Sequence, residues 1–143
     1  MREFQVTDRT LFKGTSAVVV KHQRKATDAK ALKDAYAVVN ARDENRDRVT
    51  GKPLKASSAD PAVRREHHHI QSRGAYPERI ADPANIILVS VLTHSLIEGG
   101  LIVVEGIDAS LPNRLRFMWR VDPPVPANLR VVRIQSRRRT EAA

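Results

Sequence analysis

The sequence predicts an α+β fold built on one main hydrophobic core. Three patterns lead there: a helix-period segment after Thr27, a β-branched run at 86–89 followed by a short helical stretch, and an alternating strand near residue 117. At 143 residues the chain has room for one core with peripheral arms and is cramped for two.

Taken in order, residues 1–26 mix charges with one β-branched cluster, Ala17 to Val20, and read as an N-terminal arm. Thr27 is a suitable helix cap and Asp28 suits the positive helix start. Leu32, Tyr36 and Val39 then recur at helical spacing, so a helix is expected from there to about 40–45. The segment from Arg48 to Leu54 places Gly51 and Pro53 around short apolar residues, and Val63 to Ile70 is a strand candidate, which together suggest a hairpin near 48–70. Residues 71–84, with Gly74, Pro77 and Pro83, form a long loop, and loops of that length inside a small domain usually carry function. Ile86 to Val89 is extended, Ser90 caps a helix over Val91 to Glu98, and Gly99 and Gly100 stop it. Leu101 to Val104 and Leu115 to Val121 pair as a C-terminal β-hairpin, with Arg114, Arg116 and Arg120 on one face, read first as a solvated one. A Pro-rich connector starts at Asp122, with an edge strand expected at 129–134, and the chain ends in a basic tail. The expected organisation is therefore an arm at 1–26, a domain with its hairpin extension at 27–121, and a connector and tail at 122–143.

Composition narrows the chemistry. The chain has no cysteine, which excludes disulfides, thiolate catalysis and sulfur-ligated zinc, so any metal must be held by nitrogen and oxygen. No apolar stretch is long enough to span a bilayer, and the first residues have no signal-like apolar block, so no membrane partner and a cytoplasmic location are expected. A net charge of +9 favours a polyanionic partner, nucleic acid ahead of an anionic membrane surface. With aromatics at only 4%, groove or phosphate binding is favoured over stacking on splayed bases.

The sharpest feature is histidine clustering. Four of the five histidines, His67, His68, His69 and His94, fall between residues 67 and 94. Imidazole ligates divalent transition metals and also transfers protons near neutrality. Neighbouring histidines on a strand point to opposite faces, so one can bind metal while the next addresses substrate. His94 and Glu98, four apart on the expected helix, share a face and can converge on one ion.

The run Glu66-His67-His68-His69-Ile70, followed by Asn85, His94 and Glu98, resembles the HNH endonuclease motif, a ββα-metal site of two strands and a helix. The separation of Asn85 from His94 is similar to that of the colicin-type nucleases, and Ala41-Arg42-Asp43 and Val49-Thr50-Gly51 add to the likeness upstream. The resemblance covers roughly residues 40–98. It implies an HNH core with a preceding helix and a C-terminal β-hairpin, and a DNA endonuclease using one divalent ion. It implies that His68 and His94 hold the ion with Glu98, that His69 is the general base, and that Asn85 stabilises the loop and helps orient that base. Arg73, Arg137, Arg138 and Arg139 are the candidate DNA contacts. The chain departs from the family where many members carry zinc-ribbon cysteines, Asp47 standing near one such place, and where colicin-type members have a histidine in place of Glu98. A carboxylate there favours magnesium or manganese, with zinc or nickel as the alternatives. Small proteins of this kind occur in phages and mobile elements, which implies DNA and phage packaging proteins as partners.

Other readings of the same residues stay open. His67 and His69 share a strand face and with His94 can form a three-histidine zinc site that generates hydroxide in a small-molecule lyase or hydrolase. A non-catalytic nucleic-acid-binding module with a structural metal or histidine site is the other alternative.

Overall fold

A strand in which every side chain is apolar has to be covered on both faces, and Ile86 to Val89 is such a strand. In the computed structural model, which describes residues 28–120 and 133–135, this segment forms strand β2 (Ile86–Ser90), and all five of its residues are buried. Its side chains alternate between two cores. Ile86 and Leu88 meet Ala35, Val39 and Leu54, while Ile87 and Val89 meet Val49, Leu96, Ile102, Ala109 and Leu115. Burying each Ile, Leu or Val side chain is worth roughly 1.5–3 kcal/mol, so β2 is the partition on which both cores depend.

The first core is closed by helix α1 (residues 28–42), whose Leu32, Ala35, Tyr36 and Val39 form the expected apolar stripe. The second is closed by helix α2 (Val91–Glu98) and by a hairpin of strands β3 (Ile102–Glu105) and β4 (Arg116–Trp119). Helix α2 starts where β2 ends, because the Ser90 hydroxyl accepts from the Thr93 amide at 3.0 Å. It stops at Gly99 and Gly100. Gly100 takes φ +72°, and Gly100 N–H and Leu101 N–H donate to the carbonyls of Ile97 and Leu96, an arrangement that only a residue tolerant of positive φ sustains without strain.

Strand β1 (Arg65–His69) pairs antiparallel with β2, His67 opposite Leu88, His68 opposite Ile87 and His69 opposite Ile86. The architecture is α+β: a leading helix, a ββα unit of β1, β2 and α2, and a two-stranded C-terminal hairpin. The pairing differs from the hairpin expected at 48–70. Residues 46–64 contribute only isolated bridges, Arg46 with Pro53 and Lys55 with Arg64, and β1 takes its partner from across the loop instead.

Among the described residues, the edge of β2 away from β1 has no strand beside it. Apart from the Arg48 amide, which donates to the Leu88 carbonyl at 2.8 Å, side chains take the place of one. The Leu88 amide donates to Asp43 Oδ2 at 3.0 Å, the Ser90 amide to Asp47 Oδ2 at 2.9 Å, and Arg42 Nη2 donates to the Ile86 carbonyl at 2.7 Å. Asp43 is also paired with Arg42 and Arg48, and Asp47 accepts further from Val49 N–H, Thr50 N–H and the Thr93 hydroxyl. Two buried carboxylates thus satisfy a sheet edge, the turn at 47–51 and the start of α2 together. The scaffold without cysteines relies on this polar frame as well as on packing.

The N-terminal arm, the Thr27 cap, His22 and most of the connector and tail, Arg137, Arg138 and Arg139 among them, lie outside the described residues. Among the described residues, no helix is long and apolar enough to cross a membrane.

Candidate metal centre and its flanking loop

The alternation of β1 sorts its side chains. Glu66 and His68 lie on the face toward α2, and His67 and His69 on the face toward α1, as the register with Val89, Leu88, Ile87 and Ile86 requires. On the α2 face, His68, His94 and Glu98 each offer one ligand atom, and these atoms lie within 4.8 Å of one another. Glu98 Oε1 is 3.4 Å from both His68 Nδ1 and His94 Nε2. The i, i+4 spacing on α2 brings His94 and Glu98 together, and the strand-to-helix junction at Ser90 turns them over His68.

The protonation pattern suits a cation. Burial, reinforced by the neighbouring His94, pushes the His68 imidazole down to about 4, so it is neutral at physiological pH. Its Nδ1 is buried and has no hydrogen-bond partner among the described residues, the unpaid desolvation expected of a lone pair meant for an ion. His94 Nδ1 sits 2.6 Å from Glu66 Oε2; a carboxylate oxygen accepts, so Nδ1 carries the proton and the Nε2 lone pair faces the cluster. A carboxylate behind a histidine in this way fixes the ring and raises its basicity as a ligand. Glu66 stands in the motif without an assigned role, although period two on β1 puts it on the face of His68. Two imidazoles and a carboxylate, with the third member 65% exposed at its side chain, fit a divalent ion with open positions.

The α1 face is built differently. His67 stacks on Tyr36 with ring centroids 3.8 Å apart and planes within 4°, and Asn40 Oδ1 accepts from its Nε2 at 2.8 Å. Burial, aided by Arg65 and His69, lowers this imidazole to about 4. His67 and His69 are therefore turned away from His94, and the three-histidine zinc arrangement is not formed among the described residues.

His69 Nε2 donates to the Ile80 carbonyl at 2.8 Å, since a carbonyl has no hydrogen to give. That leaves the lone pair on Nδ1. Burial lowers the pKa of this group as well, against the opposing pull of the Ile80 carbonyl. The residue just before Ile80 is held by Asn85, which is fully buried: its Oδ1 accepts from Gln71 N–H at 2.8 Å and its Nδ2 donates to the carbonyls of Gln71 and Arg79. Asn85 thus pins both ends of the 70–85 loop beside His69. Arg79 ties the same loop to Asp82, Gln71 and the Ile107 carbonyl.

A comparison with protein-family models, curated proteins and solved structures found no match. The site has to be read from its own geometry.

A cleft of about 370 Å³ opens beside the cluster, lined by His68, His69, Ser72 and Glu98 on one side and by Ile102, Val104 and Arg120 on the other. Of the sequence-predicted residues, His68, His94 and Glu98 converge, His69 and Asn85 bond the carbonyls of the successive residues Ile80 and Arg79, and Arg73 lies beside His69 with Nε 3.4 Å from Nδ1. The sequence assigns no site role to Tyr36, Asn40, Arg42, Asp43 or Arg48. Arg42 and Asp43 carry only the likeness at 41–43 and Tyr36 only its place in the helical period, neither of which holds information about contacts.

Proposed function

We propose that this chain is a metal-dependent DNA endonuclease of HNH type, hydrolysing phosphodiester bonds with a histidine general base. The observation that carries the reading is the ββα unit in which His68 Nδ1, without a hydrogen-bond partner among the described residues, meets His94 and Glu98, while the adjacent His69 lines the same cleft with its Nδ1 lone pair met only by a long 3.4 Å contact from Arg73 Nε. The net charge of +9 supports a nucleic-acid substrate.

His68, His94 and Glu98 would hold one divalent ion, magnesium or manganese before zinc or nickel; when bound it supplies Lewis-acid stabilisation of charge developing on the phosphate oxygens. His69 Nδ1 takes a proton from the attacking water as its oxygen bonds to phosphorus and the ester P–O bond breaks. The Ile80 carbonyl keeps His69 in the tautomer that leaves the Nδ1 lone pair, and Asn85 steadies that segment through the preceding Arg79 carbonyl. Arg73, beside His69, and Arg120, lining the cleft, would meet phosphate, with Arg137, Arg138 and Arg139 as non-specific contacts from the tail.

The test is incubation of the full chain with supercoiled plasmid, with EDTA and with each divalent metal in turn. Metal-dependent conversion to nicked or linear DNA is the expected result. Binding of DNA without cleavage under any metal replaces this reading with a non-catalytic binding module.

A further inference from the structure

Tyr36 presents a puzzle of chemistry. Its ring is fully accounted for by packing, stacked on His67 and set among the apolar residues of the first core. Phenylalanine would fill that place as well. The hydroxyl has one contact among the described residues: it accepts from Arg73 Nη2 at 2.8 Å. Arg73 in turn directs Nε at His69 Nδ1, 3.4 Å away, on the loop that Asn85 pins. A guanidinium offers five N–H donors in a rigid fork, so one held at Nη2 still presents Nη1 to an oxyanion.

The tyrosine is itself held. The His67 ring stacks within 4° of its plane, and His67 is fixed by Asn40, four residues after Tyr36 on the same face of α1. Asn40, His67, Tyr36, Arg73 and His69 therefore form one chain of contacts from the leading helix to the lone pair of His69. An otherwise exposed arginine on a loop loses much of its rotamer freedom this way, and that ordering is what a group must have to meet a phosphate in one geometry.

Resting on the nuclease reading above, we propose that Tyr36 is a positioning residue for cleavage: its hydroxyl holds the Arg73 guanidinium beside His69, so that the scissile phosphate is gripped where the water proton is removed. Helix α1 thereby belongs to the active site as well as to the core.

The experiment compares Tyr36→Phe, Arg73→Ala and the double variant in the full chain. Tyr36→Phe keeps the ring on His67, and an unchanged melting temperature verifies the fold. Its kcat for plasmid cleavage should fall about tenfold with KM moved less than about twofold, because one hydrogen bond to a charged group is lost while the groups that bind DNA remain. Arg73→Ala should lose more, and adding Tyr36→Phe to it should cost nothing further, since the hydroxyl acts only through the arginine. Full activity in Tyr36→Phe, or losses that multiply in the double variant, overturn the proposal.

A second readout needs no cleavage. In the magnesium-supplemented protein, the ¹⁵N-detected Nε–H signal of Arg73 should shift on titration with inorganic phosphate, and Tyr36→Phe should weaken that response severalfold. A wild type that does not cut DNA but shows this response sinks the nuclease reading and keeps the positioning role; a phosphate response equal in both proteins, or absent from both, overturns the role itself.

Discussion

The two faces of strand β1 are five residues of one chain put to opposite uses. Toward α2, Glu66 and His68 join His94 and Glu98 in a cluster whose central nitrogen has no partner. Toward α1, each ring or hydroxyl is tied down at one atom: His67 Nε2 by Asn40, His69 Nε2 by the Ile80 carbonyl, and the Tyr36 hydroxyl by Arg73. An unsatisfied buried lone pair costs about 1–3 kcal/mol, a cost that persists in a fold when a ligand is to offset it. In the proposed reading, the contrast separates metal binding from proton transfer by nothing more than the period of a strand. It also makes the two faces separable by mutation.

The largest effect should come from the α1 face. His69→Ala removes the proton acceptor and leaves His68, His94 and Glu98 intact, so plasmid cleavage should fall by about 10²–10⁴ at matched metal saturation, and added imidazole should restore part of it. Metal affinity, measured by calorimetric titration with manganese, should stay within a few-fold of wild type. Equal cleavage by variant and wild type would show that the base lies elsewhere; a parallel loss of metal affinity would show that the two faces are not separate.

The converse experiment breaks the α2 face alone. His68→Ala and His94→Ala should abolish or strongly weaken metal binding, and Glu98→Ala should do so less because its side chain is 65% exposed and water can replace it. Glu66→Gln is the sharper probe. It keeps shape but loses the charge that fixes the His94 tautomer, so metal affinity should drop about 10–100-fold, with the melting temperature in EDTA little changed. If Glu66→Gln binds manganese as tightly as wild type, the 2.6 Å contact is only a surface ion pair.

How this arrangement was written in the sequence differs between its parts. The Ser90 cap, the Gly99 and Gly100 stop and the opposed faces of adjacent histidines follow from local rules, and each is present at the expected residues. The leading helix and the C-terminal hairpin were likewise legible from period and alternation. The partner of β1 was not: its hydrogen bonds close over the 70–85 loop, and periodicity says nothing about which strand pairs with which. The polar frame was hidden for another reason. Asp43, Asp47, Arg42 and Arg48 lie in a charged stretch between the helix end and the turn at 48–54, whose local pattern names no partner, and only the β2 edge, with no strand beside it among the described residues, gives them work to do. Tyr36 and Asn40 read as ordinary helix positions, because their hydrogen-bond partners lie 37 and 27 residues away along the chain, respectively.

The smallest expected effect tests whether the α1 face is a neutral, packed surface. His67 lies between Tyr36 and Asn40 of α1, with Arg65, His69 and Asp43 as its charged or titratable neighbours, and burial brings it down to about 4. An unfolded chain protonates this imidazole near 6.5, so between about 6.5 and 4 the unfolded state binds the extra proton and the folded state does not. Stability contributed by neutral His67 is therefore complete above 6.5, declines as pH falls through that window, and is level below about 4. Since part of the ring meets solvent, the contribution should be on the order of 1 kcal/mol rather than the full value of the shift. Urea unfolding in EDTA, which removes any metal linkage from His68, should show this decline in wild type. His67→Phe keeps the stack on Tyr36 and has nothing to protonate, so its curve should be flatter over the same window while His68 and His69 still contribute the remainder. Identical slopes in the two proteins would mean that His67 is already protonated in the folded state, and that the stack on Tyr36 is a cation against a ring rather than two neutral planes.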